Sequence, residues 1–493
     1  MRLVTFGSVP ESYTFSGCRP VPVTTLKRKF SLADQERFAT VSGDRNPIHM
    51  DPVVARRTQA GAPVVHGIHV LLWVLDEFAR ADMAVDRIVH VRVQFIRFMY
   101  LDVELEVNER ESSAAFRRFI VSSGGLALMT VSLRQGNRRS EIQRLPSLPL
   151  SGLRMDAADL THQEIANRSG RLAPPATDDL LVQLFPHAAQ VLGWRRVLSI
   201  AQSSYLIGMV CPGLHSIFAK LDLDFLAEVS SQLGLEYSSE FDERFRIASL
   251  QILGPGVAGT ATAFVRYPPI ESKSISEMAS LTVPAEFSGI TALIVGGSRG
   301  LGAATAKLIV AGGGRAIITY AQGRVDAERL ARELNSFGAT DRCDVMQLDI
   351  LDSAQLDLSR LRGQVTELYY FATPKIFNQG SGVFSPALFF RFLHAYVIAF
   401  SEICNSLLSD DLLRVFYPSS IAIDQRPKGM TEYAMAKSAG EIFCADLNRA
   451  KAKICIRVER LPRILTDQTA TIAGASSADA TDVMLQVLRS MAR

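Results

Sequence analysis

The 493-residue chain carries 53 basic against 50 acidic residues, a net charge of +3, and is 48% hydrophobic and 21% charged. That balance is the composition of a globular protein with ample core, exerts no strong pull toward nucleic acid or a membrane surface, and at this length predicts two to four domains. Six scattered cysteines (Cys18, Cys211, Cys343, Cys404, Cys444, Cys455) without CxxC spacing point to free thiols in a reducing compartment, and with no secretory-type apolar leader and no run of about eighteen apolar residues the chain reads as cytoplasmic.

Phe30 to Ala39 reads as a helix capped by Ser31, with Asp34 at its third position. The stretch Val41-Ser42-Gly43-Asp44-Arg45-Asn46-Pro47-Ile48-His49 then sets a carboxylate and an imidazole five residues apart. Asn46-Pro47 disfavours a continuous helix, so Asp44 and His49 can converge on one point as an acid/base pair; the plain alternative is an Asp-capped turn with a surface histidine. Gly61 to Ile68 is a Gly/Pro turn leading into the apolar Val70-Leu71-Leu72-Trp73-Val74-Leu75.

The motif S-G-D-x-N-P-I-H followed by P-V-V-H-G resembles the (R)-specific enoyl-thioester hydratases, the MaoC-like branch of the hotdog fold. The resemblance implies an α+β hotdog domain over residues 1–140, with a long buried helix wrapped by an antiparallel sheet. It also implies that Asp44 and His49 are the catalytic pair and that the Gly67 backbone N–H is the oxyanion donor. Losing water from a 3-hydroxyacyl thioester needs a proton taken next to the carbonyl, a proton given to the departing hydroxyl, and a donor for the oxyanion. Leu75 departs from the pattern, standing where the hydratases often carry a small polar residue. His66 and His69 are expected to pack or hydrogen-bond at the helix entrance, and no metal site is expected.

Residues 136–178 turn polar and proline-rich and read as a linker. Beyond them, Asp178 to Phe185 carries a helical pattern, and Phe218 to Phe225 and Val257 to Val265 read as strands on either side of later turns. Leu206 to Ile217 resembles the segment after the central helix of single hotdog hydratases, so residues 150–280 are expected to form a second, degenerate hotdog packed on the first, a double hotdog. Ser169-Gly170-Arg171 is read as its remnant of Ser42-Gly43-Asp44, with Ala176 in place of the histidine, and His215 as a strand histidine.

From Gly289 the chain changes character. Ile290 to Val295 is a buried strand broken by Gly296-Gly297-Ser298-Arg299-Gly300-Leu301-Gly302 and followed by a helical run, the form of a nucleotide-binding turn that seats a pyrophosphate on a helix N-terminus. Tyr433 and Lys437 lie four apart on one helix face, thirteen residues and more past Ser420. These features resemble the short-chain dehydrogenase/reductases over residues 287–493, implying an α/β Rossmann-type doubly wound parallel sheet. By that resemblance Tyr433 is the proton donor, Ser420 binds the carbonyl oxygen, and Lys437 holds the nicotinamide ribose while its ammonium lowers the phenol pKa.

Ala321-Gln322-Gly323-Arg324 follows the second strand with no acid where an NAD-selecting carboxylate would stand, so Arg299 and Arg324 are expected to meet a 2′-phosphate and NADPH is favoured. Asp349 matches the adenine-flanking position and Thr466 the contact to the nicotinamide amide. Phe371-Ala372-Thr373-Pro374 replaces the family's N-A-G, and Tyr396 stands at the position of its helix Asn. The two resemblances together imply a cytoplasmic bifunctional enzyme that reduces a 3-oxoacyl thioester with NADPH and dehydrates the product. Its partners would be acyl-CoA or an acyl carrier protein, with no nucleic acid or membrane and a possible homo-oligomer. The rival is an active dehydratase whose nonfunctional reductase domain serves as a docking module.

Overall fold

The computed structural model describes residues 26–81, 87–113, 115–138, 148, 150–175, 178–227, 234–269, 272–338, 341–374, 376, 384–427, 429–464 and 478–491. Its front part is built on one sheet of eleven strands: Leu26–Arg28 (β1), Ile88–Phe95 (β2), Leu105–Ser112 (β3), Phe116–Ser123 (β4), Leu126–Gln135 (β5), Leu150–Ser151 (β6), Ser169–Leu172 (β7), Ser216–Phe225 (β8), Glu236–Asp242 (β9), Ile247–Gly254 (β10) and Val257–Val265 (β11). They run in the order β1-β3-β4-β5-β2-β8-β11-β10-β9-β7-β6. Outward from the central β2/β8 seam the order reads β2-β5-β4-β3-β1 on one side and β8-β11-β10-β9-β7 on the other, so one connectivity occurs twice. The seam is antiparallel from His90 opposite Asp224 to Gln94 opposite Lys220. Cross-strand pairs pin it: His90 Nδ1 to Asp224 Oδ1 at 2.8 Å and Arg92 Nε to Asp222 Oδ2 at 2.8 Å.

Each half wraps one buried helix. The first, Gly67–Arg80, buries Ile68 to Leu75 and Phe78. It begins after the extended His66, and Gly67 is required there because the Phe95 ring fills the space of any side chain. The second, Trp194–Tyr205, runs on as a π-turn over Leu206–Val210 and is buried from Arg196 onward. Apolar periodicity does not disclose it, since Ser199, Gln202, Ser203 and Ser204 are among its buried residues. Both helices and both sheet halves share one apolar core.

Two expectations for the middle of the chain are corrected. The 136–178 stretch is more than a linker, because it holds β6, β7 and the Thr161-capped helix His162–Ala166. Ser169-Gly170-Arg171 is no remnant of the dyad loop either: it pairs within β7 opposite Ser238, Tyr237 and Glu236, and the strand order makes it the counterpart of β1. Ala176 lies outside the described residues.

The back part is a parallel six-stranded sheet of Thr291–Val295 (β12), Arg315–Tyr320 (β13), Cys343–Gln347 (β14), Glu367–Tyr370 (β15), Leu413–Ser420 (β16) and Ile454–Leu461 (β17), ordered β14-β13-β12-β15-β16-β17. The order reverses between β12 and β15, which opens a crevice at the carboxyl ends of those strands where such sheets bind ligands. Apolar clusters pack on both faces. Among the described residues the helical run Pro386–Leu407 is long and apolar enough by length and composition to cross a bilayer, although Arg391 and Glu402 interrupt it. In this fold its Phe392, Tyr396, Phe400, Ile403 and Leu407 pack into the core of one sheet face.

Candidate active sites

In the front part the chain leaves the helix Leu32–Ser42 through Gly43, left-handed at φ 86°, and enters the short helix Pro47–Met50 capped by Asn46. Gly43 is needed twice over: a side chain there would be strained and would press on the Tyr205 ring. This double turn brings Asp44 and His49 together as the spacing predicts, and adds His66, with one oxygen or ring nitrogen of each of the three within 4.8 Å of the others.

Asp44 is buried. Its Oδ2 accepts from Ser204 Oγ at 2.7 Å and its Oδ1 from the Asn46 N–H at 3.1 Å. Burial raises its pKa, opposed by His49, Ser204 and Asn46. His49 Nδ1 donates to the Val64 carbonyl at 2.8 Å, which fixes the tautomer and leaves Nε2 as the basic nitrogen. Burial lowers the His49 pKa, with Asp44 and Val64 opposing. Burial therefore shifts both groups toward their uncharged forms, the direction in which one can give a proton and the other take one.

His66 stacks on His49 at 3.8 Å between ring centroids. Its Nδ1 lies 2.8 Å from Gln35 Oε1 and its Nε2 3.1 Å from the Asp44 carbonyl. His69 stacks on Phe38 at 4.7 Å, and burial pushes its pKa down to about 3. Both match the expected packing and hydrogen-bonding roles. The Gly67 N–H lies in the first turn of its helix, where N–H groups lack intrahelical partners. Leu75 is fully buried in the core.

Sequence reasoning missed the contribution of the second half. Ser204 reaches Asp44, the Asn46 amide donates to the Gly208 carbonyl at 2.6 Å and the Gly213 carbonyl at 3.3 Å, and any side chain at Gly208 would collide with the Asp44 carboxyl. A serine inside a buried helix was the available signal. His215 stands just before β8 with Nε2 3.3 Å from Asp159 Oδ1, on a separate cavity of about 340 Å³, away from the dyad.

In the back part Gly296 and Gly300 hold positive φ of 83° and 56°. A side chain at Gly296 would strike the Ala372 backbone, and one at Gly302 the backbone of Gly296 and Gly297. Gly296 and Gly297 are tied to the end of β13 by N–H bonds to Thr319 Oγ1 and Thr319 O, both 3.0 Å. With Ser298, Arg299 and Leu301 completing the turn, the helix Gly300–Ala311 starts on this cradle, so its free N–H groups suit a dinucleotide pyrophosphate. Arg299 Nη1 donates to the Arg56 carbonyl at 2.8 Å, while Arg324 pairs with Glu328 at 2.6 Å on an exposed helix face. Asp349 Oδ1 accepts from the Leu351 N–H at 3.0 Å, turning toward its own loop. Thr466 lies outside the described residues.

Ser420 ends β16, where its hydroxyl is close enough to the Tyr433 phenol to lower the phenol pKa. Tyr433 and Lys437 are both buried on the helix Thr431–Ala450. The expected lowering of the phenol pKa by the ammonium is contradicted: burial raises the Tyr433 pKa, with Ser420 the opposing influence. The reason is where Lys437 goes. Its Nζ donates to the Pro418 carbonyl at 2.7 Å and sits 4.0 Å from the Tyr396 ring centroid and 4.9 Å from that of Tyr417, and burial pushes its pKa down to about 7. Tyr396, at the Asn position, bonds Thr373 through its hydroxyl, and its carbonyl accepts from the Tyr417 hydroxyl at 3.1 Å.

Comparison with known proteins matches residues 18–119 to the MaoC like domain. The (R)-specific enoyl-CoA hydratase of Aeromonas caviae is 42% identical over 43 residues, 9% of this chain and 32% of that protein. The cyclic-di-GMP-binding biofilm dispersal mediator protein of Escherichia coli K12 is 33% identical over 165 residues, 31% of this chain and 63% of that protein. In both, the match falls short of two thirds of the relative's length. A solved short-chain dehydrogenase from Burkholderia cenocepacia in complex with NADP aligns at 22% identity and a TM-score of 0.37, covering 42% of this chain and 91% of its own.

Proposed function

We propose, from the MaoC-like domain at the front of the chain and the dehydrogenase-like sheet behind it, that this protein is a bifunctional enzyme of acyl thioesters. The back unit reduces a 3-oxoacyl thioester with NADPH, and the front unit dehydrates the (R)-3-hydroxyacyl product to a trans-2-enoyl thioester. The units run over about residues 1–140, 150–280 and 287–493, and the repeated strand order supports a double hotdog for the first two. The observation that carries the reading is the buried Asp44 beside a part-buried His49 whose imidazole tautomer is fixed. In dehydration His49 Nε2 takes the proton next to the thioester carbonyl, the Gly67 N–H meets the oxygen as charge builds on it, and Asp44 gives its proton to the departing hydroxyl.

The dinucleotide, when bound, supplies hydride. The residues that would hold it are Gly296, Ser298, Arg299, Gly300, Leu301 and Gly302, with Arg324 and Asp349 proposed for the adenosine end; Thr466, outside the described residues, is proposed for the nicotinamide end from its place in the sequence alone. In this reading Ser420 would bond the carbonyl oxygen and Tyr433 would protonate it. Lys437, aimed at Pro418 and the Tyr396 ring, favours a second reading in which the back unit binds nucleotide without turnover and serves as a docking module. The acyl carrier is CoA or a carrier protein. One assay tests the proposal: NADPH absorbance followed with a short 3-oxoacyl thioester, then product analysis for the enoyl thioester. NADPH consumption supports the two-enzyme reading; nucleotide binding with no consumption supports the docking module.

A further inference from the structure

The helix Pro52–Ala55 follows the His49 helix and ends on Arg56, which together with Arg57 leaves the front unit and reaches the nucleotide turn of the back one. Arg56 Nη2 and Arg57 Nη2 each pair with a carboxylate oxygen of Asp326, a residue of the first turn of the helix Arg324–Asn335. Arg329 Nη2 lies 3.9 Å from the same carboxylate, and Arg299 of the glycine turn donates to the Arg56 carbonyl at 2.8 Å. The Arg56 guanidinium lies so close over Gly323 that any side chain there would strike it.

Gly323 comes three residues after β13 ends at Tyr320, and β13 is the strand whose Thr319 anchors the glycine turn. This is the end of the second strand, where an adenosine ribose and its 2′ substituent are recognised in doubly wound sheets. Arg324, which the sequence nominates for that task together with Arg299, is instead engaged by Glu328 with its side chain 73% exposed, whereas the Arg56 side chain is 13% exposed. A guanidinium presents a planar fork that matches phosphate oxygens and holds its charge at every physiological pH.

The geometry points to Arg56, supplied by the front unit, as a specificity-determining residue for the 2′-phosphate of a phosphorylated adenine dinucleotide bound by the back unit. The inference rests on the reductase reading of that unit. It makes the cofactor site bipartite: the segment that follows the dyad helix closes the adenosine end of the nucleotide site, and Asp326 holds Arg56 and Arg57 in place.

The test is equilibrium binding of NADPH and NADH to the full-length protein, read by nicotinamide fluorescence, in the unaltered chain and in Arg56→Ala, Arg56→Lys and Asp326→Asn. A lost charged hydrogen bond to phosphate predicts that Arg56→Ala weakens NADPH binding about tenfold or more and changes NADH binding less than about twofold. Asp326→Asn, which loosens the guanidinium without removing it, is expected to weaken NADPH selectively and by less. Equal losses for both cofactors would make Arg56 a docking contact, and tighter NADPH binding by Arg56→Ala would make it a plug; either overturns the inference. Should Arg56→Ala fail to fold by circular dichroism, Arg56→Lys decides on the same criterion of selective against equal loss. If the unaltered protein binds neither cofactor, the reductase reading falls and takes this inference with it; if NADPH binds and Arg56→Ala leaves it unchanged, only the inference falls.

Discussion

Ser204→Ala tests whether the second half of the eleven-stranded sheet takes part in the front chemistry. Ser204 is buried, and its hydroxyl donates to Asp44 Oδ2 at 2.7 Å, one of three influences that oppose the upward pull of burial on the Asp44 pKa. A hydrogen bond to a charged group contributes about 1.5–3 kcal/mol, so its loss lifts the Asp44 pKa further in the direction burial already pulls it. On the proposed roles Asp44 is, in the hydration direction, the carboxylate that accepts a proton from water, so the acidic limb of the pH–rate profile is expected to move to higher pH. The assay is enoyl-thioester absorbance during hydration from pH 5 to 9, with the thermal melt as a check on folding. A uniform loss of rate with an unmoved acidic limb would refute the electrostatic argument and leave Ser204 a packing residue.

Asp44→Asn is expected to lower enoyl-thioester hydration by about 10²–10⁴-fold while NADPH binding by the back unit stays unchanged; normal hydration would remove the dyad assignment. Tyr433→Phe keeps the packed ring and removes the proton, so reduction of a 3-oxoacyl thioester should fall by about 10²–10⁴-fold with hydration untouched, and unaltered NADPH consumption would refute its role. His69 sets an acid limit on stability. Its folded pKa of about 3 lies below the ordinary value of 6.5, so the unfolded chain binds that proton first. The stability held by the neutral ring is complete above pH 6.5 and is lost as pH falls toward 3, about 3 kcal/mol of it by pH 4. Urea denaturation at pH 7 and 4 should show His69→Phe losing less stability than the parent over that interval, and equal losses would refute the argument.

The parts of this architecture legible from the residues are those where local chemistry decides local structure. Ser31 and Asp34 form the reciprocal cap their spacing announces, Asn46-Pro47 breaks the chain between Asp44 and His49, and the glycines at 296, 300 and 302 make the turn only glycine fits. What stayed hidden depends on long-range partners. The helix Trp194–Tyr205 carries too many polar residues for an apolar stripe to reveal it, because one of those residues, Ser204, faces a carboxylate 160 positions earlier. Lys437 follows a helix rule in its spacing from Tyr433, yet its ammonium is drawn to the Pro418 carbonyl and the Tyr396 ring, a destination no spacing encodes.

The second half of the sheet lacks a counterpart of the dyad among its described residues, and its contacts explain why it is nonetheless needed. Asp44 sits in a wall made largely by the other half: Ser204 donates to it, Gly208 leaves room for it, and Tyr205 packs against the Gly43 turn that aims it. The π-turn Leu206–Val210 sets the Gly208 carbonyl 2.6 Å from the Asn46 amide, so the residue that caps the His49 helix is itself held from across the seam. Excluding water from a carboxyl group raises its pKa, and one helix wrapped by one half-sheet leaves the Asp44 side open. The partner helix closes it. A front unit cut after about residue 140 would therefore retain both Asp44 and His49 and lose the burial that raises the Asp44 pKa.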